Sequence, residues 1–198
     1  VGRYEESRDV VLEALALSRE EDVYHLTDHF YRILSSTSIL TGEPDKVWYY
    51  LKKARQFAEI KEVEESIGLV EHAEVRVMNW EGRYEEARQH AEKSLYFRKY
   101  DEESFWLQTG ISLFGLGRYD EALDTLNKIK TPRLNNVHHP LDKIRRYTAY
   151  AYRAIALIKL GRIVEAEEQA LIAYERTRGY PSCPELEFIQ QTYHSLFA

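Results

Sequence analysis

Two histidines one helical turn apart, His25 and His29, with Asp28 between them, are the residues in this chain best spaced to do chemistry. Imidazoles at i and i+4 share one face of a helix and can hold a metal ion together. The pair lacks the glutamate that directly follows the first histidine in the His-Glu-x-x-His hydrolase pattern, so a metal-dependent activity is an outlying reading and no metal ligand is assigned. His138 and His139 have no partner at ligand spacing. Cys183 is the single cysteine, which excludes an intrachain disulfide and a cysteine-based metal cluster. Glu62, Glu64 and Glu65 read as a solvated helix face. No Gly-x-Ser-x-Gly elbow and no phosphate-cradling Gly-x4-Gly-Lys occurs. The chain is therefore expected not to be an enzyme and to need no cofactor.

The elements that carry these residues are set by an internal repeat. Gly2-Arg3-Tyr4-Glu5-Glu6-Ser7, Gly42 to Val47, Gly82-Arg83-Tyr84-Glu85-Glu86-Ala87, Gly117-Arg118-Tyr119-Asp120-Glu121-Ala122 and Gly161-Arg162-Ile163-Val164-Glu165-Ala166 punctuate the 198 residues. Subtracting the glycine numbers gives spacings of 40, 40, 35 and 44 residues, the length of a helix-turn-helix pair. A glycine after an apolar-periodic segment lets the chain leave a helix in the left-handed conformation. The acids that follow meet the positive end of the next helix dipole. Ten helices are expected, at 3–18, 21–41, 44–59, 61–81, 84–98, 102–116, 119–129, 141–160, 163–178 and 185–197. The Thr131 to Pro140 segment accounts for the longest spacing and reads either as a lip to the groove or as a simple connector. Leu186, Ile189, Tyr193 and Leu196 or Phe197 give the last helix an apolar face that could cap the open end.

The best unit reads Trp106-x2-Thr109-Gly110-x2-Leu113, then Gly117 and Ala122. Another has Tyr150, Arg153, Ala154, Leu157 and Ala166, with Ala170 and Ala173 beyond. The Gly82 unit keeps Tyr84, Ala87, Ala91 and Ser94 but has Glu71 at the position of the tryptophan, and the Gly42 unit keeps Val47 and Ala54. This pattern resembles the tetratricopeptide-repeat family, whose units carry Trp, Leu, Gly and Tyr before the turn and Ala after it. The resemblance implies an all-α, right-handed solenoid of antiparallel helix pairs. Residues 1–198 would form one array of about four full repeats, with a partial repeat at the start and a capping helix at the end. Because Val1-Gly2-Arg3-Tyr4 falls in the middle of a unit, the array is expected to be part of a longer protein.

Composition bounds the partner. Lys and Arg number 27 against 33 Asp and Glu, a net charge of −6, which disfavours a general nucleic-acid surface. The one basic cluster, Lys143, Arg145 and Arg146, reads as solvated helix positions. No apolar run approaches the roughly 20 residues that span a bilayer, and the N-terminal stretch has no secretory pattern, so a cytoplasmic location is expected.

In the resembled family the first helix of each pair lines the concave face. Counting back from the glycines, the resemblance places His29, Arg32, Ser36, His72, Arg76 and Asn79 there in the first half. Leu107, Ile111, Phe114, Ala151, Ile155 and Ile158 follow in the second. A groove cationic at one end and aliphatic at the other suits a protein or peptide partner with an acidic end and aliphatic anchors. The alternative is a ligand-sensing regulatory domain, similar to the repeat domains of transcriptional activators and peptide sensors. The apolar half could instead be covered by the C-terminal helix or by a second copy of the chain.

Overall fold

The computed structural model describes residues 3–129, 140–180 and 183–197, and of residues 140–145 the backbone only. Every regular element among the described residues is helical: α1 (Tyr4–Glu20), α2 (Thr27–Leu40), α3 (Pro44–Lys61), α4 (Glu64–Trp80), α5 (Tyr84–Lys93), α6 (Phe97–Tyr100), α7 (Glu102–Gly115), α8 (Tyr119–Leu126), α9 (Pro140–Lys159), α10 (Ile163–Thr177) and α11 (Pro184–Phe197).

The glycine turns work as their chemistry requires. Gly42, Gly82, Gly117 and Gly161 have φ of 74°, 75°, 75° and 76°. At the last three the glycine N–H donates to the carbonyl three residues back. The next N–H donates five back, as in Arg83 to Met78 at 2.9 Å and Arg162 to Leu157 at 2.9 Å. The arginine after the glycine then bridges the glutamate three residues on, in Arg3–Glu6, Arg83–Glu86, Arg118–Glu121 and Arg162–Glu165. Ala87, Ala122 and Ala166 are fully buried where paired helices meet. Gly115 faces the Tyr84 ring so closely that a Cβ there would lie 2.4 Å from it.

Each second helix (α3, α5, α8, α10) packs on the first helix of its own pair and on the one that follows, and α1 packs on α2. The first helices α2, α4, α7 and α9 also adjoin one another in order, whereas no second helices do so to a comparable extent among the described residues. Neighbours converge on the inside of a bend and splay on the outside, so the first helices form the inner row. Helix α11 continues that row against α9 and α10, with Leu186 and Ile189 buried to 2% and 1% exposure. Burial, then the charges of Cys183, Glu185 and Glu187, raise the Tyr4 phenol.

Two boundaries differ from expectation by five residues or more. The helix expected at 21–41 starts at Thr27, because α1 runs on to Glu20 and the chain turns through Asp22 with φ of 55°. The helix expected at 84–98 stops at Lys93, and α6 follows it as an eleventh helix. Ser94 is extended, and the Glu71 carboxylate accepts the N–H groups of Tyr96 at 3.2 Å and Phe97 at 2.9 Å. That draws the connection down onto α4 at Gly68, where a Cβ would lie 2.7 Å from the Tyr96 carbonyl oxygen. Glu71 thus has a structural reason to replace the tryptophan of the repeat. The segment read as a lip, with His138 and His139, lies outside the described residues except for Pro140.

Candidate functional site

The inner row carries the residues that counting from the glycines selects, in two different settings. On α2, His29 is exposed and Arg32 half-buried, with the Arg32 guanidinium 3.1 Å from His29 Nδ1. Desolvation at the wall of the row, then the Arg32 charge, lowers the His29 pKa. Positive charge here therefore comes from Arg32 and not from His29 at neutral pH. On α4, Arg76 is half-buried and its guanidinium bonds the Ser36 hydroxyl, tying α4 to α2.

His72 and Asn79 are packed into seams. The His72 imidazole stacks on Phe97 with centroids 4.8 Å apart and planes at 8°, and its Nδ1 is 3.7 Å from Asp101 Oδ2. The Asn79 amide donates to the Gln108 carbonyl and side-chain oxygens, each at 3.0 Å, and accepts from the Ser112 hydroxyl at 2.8 Å. A buried amide with every partner supplied links α4 to α7.

The second half is lined by apolar side chains. Leu107 is buried, with Leu126, Ile129 and Ala149 around it. Ile111, Phe114, Ile155 and Ile158 are half-buried. The Phe114 ring meets Tyr119 and Tyr152 edge-on, both at 5.4 Å, and Tyr152 in turn meets Phe188 of α11 at 4.7 Å. Burial pushes the Tyr152 phenol up to about 12. Helix α11 thus narrows the apolar half from its far end through Phe188 and Tyr152. Sequence reading missed those two rings, because the counting rule marks positions on one helix and not the neighbour that leans over them.

Asp28, between the two histidines, is 2% exposed and bonded by the Lys61 ammonium at 2.8 Å. Among the described residues no three of His, Cys, Asp and Glu are grouped so as to hold a metal ion.

A separate cleft of about 330 Å³ opens on the outer side where α3 and α5 diverge over α4, between Trp48, Arg55, Glu71, Glu74, Met78, His90, Lys93 and Ser94. Arg55 clasps Glu74 through two hydrogen bonds of 3.0 and 2.5 Å, and His90 Nε2 lies 2.8 Å from the same carboxylate. Burial opposes ionisation of Glu74, but the hydrogen bonds from His90 and Arg55 outweigh it and hold the carboxyl below its ordinary range. With both oxygens engaged, Glu74 braces three helices and is not poised as a base.

No helix among the described residues is long and apolar enough to cross a membrane. No curated protein matches the chain significantly. Among solved structures, the TPR2AB-domain:pHSP90 complex of yeast Sti1 is similar at 17% identity and a TM-score of 0.45, covering 100% of this chain and 80% of that one. The sequence model of the tetratricopeptide repeat matches residues 105–128, which hold Trp106, Gly110, Gly117 and Ala122. One tetratricopeptide repeat is thus matched in sequence, and its left-handed glycine turn recurs at Gly42, Gly82 and Gly161.

Proposed function

We propose that the array is a protein-interaction scaffold that takes an extended or helical peptide segment along its inner row. The observation that carries this reading is the change of character along one continuous face. Arg32 and Arg76 offer guanidinium groups on α2 and α4, and Ile111, Phe114, Ile155 and Ile158 offer partly exposed apolar side chains on α7 and α9. A segment with acidic residues at one end and aliphatic residues at the other matches both ends at once. His29 adjusts the cationic end, since its protonation would add charge beside Arg32. His72, Asn79 and Leu107 act beneath the face by fixing the spacing of α4 and α7.

The test is the affinity of an acidic-aliphatic peptide, selected on the wild-type array, for two variants, one double and one single. Replacing Arg32 and Arg76 by Ala should weaken binding mainly at low salt, since exposed charges are screened beyond about 8 to 10 Å near physiological ionic strength. Phe114→Ala should weaken it by about 2 kcal/mol largely independently of salt, as a desolvated anchor would. Unchanged affinity with a large fall in melting temperature would mean that the ring is packing only.

A further inference from the structure

We infer a second docking surface, on the edge of the array opposite the glycine turns, that takes a basic amphipathic helix of a partner protein. The connections from α1 to α2 and from α3 to α4 form one surface there. The Lys61 ammonium donates to the His25 carbonyl and to the Asp28 carboxylate, both at 2.8 Å, and the Tyr24 ring stacks on Phe57 of α3 at 6.1 Å. On this surface Val23, Leu26, Ile60 and Val63 are 44%, 46%, 76% and 43% exposed. Neighbouring apolar side chains at this exposure mark a contact surface.

Charge identifies the occupant. Glu20, Glu21, Asp22, Glu62 and Glu65 surround the patch, are exposed, and form no ion pair with any described residue. On the opposite edge, Glu6, Glu86, Glu121 and Glu165 are each bridged by the arginine three residues before. Lys61 is paired with Asp28, and Arg19, held by the Tyr31 hydroxyl at 3.1 Å, keeps its charge but is one cation against five carboxylates. An apolar surface rimmed by uncompensated carboxylates repels acidic segments and attracts lysine and arginine. Adjacent first helices lie about 8 to 10 Å apart. Apolar residues at i and i+7 of a helix, about 10.5 Å apart, can therefore reach both connections. This surface uses none of the inner-row residues, so it stands or falls separately from the groove.

The probe is a fluorescent helical peptide of about 18 residues, roughly five turns, with leucines on one face and lysines elsewhere, alongside a counterpart with glutamates for the lysines. Anisotropy titration of the whole chain should show binding of the lysine peptide only. Ile60→Ser with Val63→Ser should weaken it at least about tenfold, a change of roughly 1.4 kcal/mol. Glu62→Gln with Glu65→Gln should weaken it severalfold, and more at low salt than at high salt. Val164→Ser, at a residue 81% exposed on α10, should leave it unchanged, as should the paired Arg32 and Arg76 replacements. No binding of the lysine peptide would overturn the proposal, as would equal binding of both peptides or equal loss on Val164→Ser. Self-association of the chain that Ile60→Ser abolishes would assign the patch to a second copy and overturn it as well.

Discussion

The two halves of the inner row arise from one repeating unit and solve the same packing problem by different means. In α2 and α4 polar side chains cross-link neighbouring helices: Arg76 to Ser36, and Asn79 to Gln108 and Ser112. In α7 and α9 aromatic rings lean across the repeats, from Phe114 to Tyr152 to Phe188. Polar links need every partner present but leave guanidinium edges at the surface. Rings need only a neighbour to cover them, which at the end of the row is α11. One half is therefore sensitive to single hydrogen-bond losses, and the other to the seating of its last helix.

The largest break of this contrast should come from Ile189→Ala. The side chain is 1% exposed and packs in a cluster with Tyr147, Tyr150, Ala151 and Ala173. Truncation should cost about 2 to 5 kcal/mol. Because repeats couple mainly to their neighbours, hydrogen exchange should rise in α9 to α11 and hold steady in α2 to α4. A uniform rise would mean that the halves unfold as one unit.

Asn79→Ala strikes the boundary between the halves. It removes the amide between α4 and α7 and takes its donor from the buried Gln108 side-chain oxygen, while the Ser112 hydroxyl keeps the Gln108 carbonyl. The expected loss is about 1 to 3 kcal/mol, read in urea denaturation. A loss below a few tenths would show that the link is dispensable.

The next effect is on acid stability. Glu74 has a depressed pKa in the folded chain, so its contribution is complete above the unfolded value, about 4.3. It disappears as pH falls through the lower folded value. Glu74→Gln should therefore lower the melting temperature at pH 7 and narrow the gap to wild type as the pH drops below 4. A gap independent of pH would argue that its charge is immaterial.

His29 should give the smallest effect. Its pKa is lowered in the folded chain, so the native state favours the neutral ring, and stability falls as pH drops below the ordinary value of about 6.5. His29→Gln should remove a small part of the decline between pH 7 and 5. An identical decline in the variant would take His29 out of the account.

Much of this was legible in sequence because it is local. A glycine turn, the acids after it and an alanine at the helix contact are fixed within a few residues, and Gly82, Glu86 and Ala87 behave as their types require. The arginine after Gly2, Gly82, Gly117 and Gly161 was equally visible, but its bridge to the glutamate three residues on is a side-chain geometry that the pattern does not state. Helix α6 was not legible, because the break at Ser94 depends on Glu71 and Gly68, far behind it in the chain. The counted positions fall on α2, α4, α7 and α9, but counting could not tell that Phe97 would cover His72, or that Gln108 would engage Asn79. Those depend on contacts between units.

The central claim is that the inner row reads a segment that is acidic at one end and aliphatic at the other. Selection of a random peptide library on the immobilised chain, repeated on the Phe114→Ala and paired Arg32 and Arg76 to Ala variants, tests it most directly. The account predicts enriched peptides with Asp or Glu clustered toward one end and Leu, Ile or Val toward the other. The aliphatic preference should be lost on the first variant and the acidic preference on the second. Enrichment of sequences without that polarity, or of the same sequences on all three proteins, would contradict it.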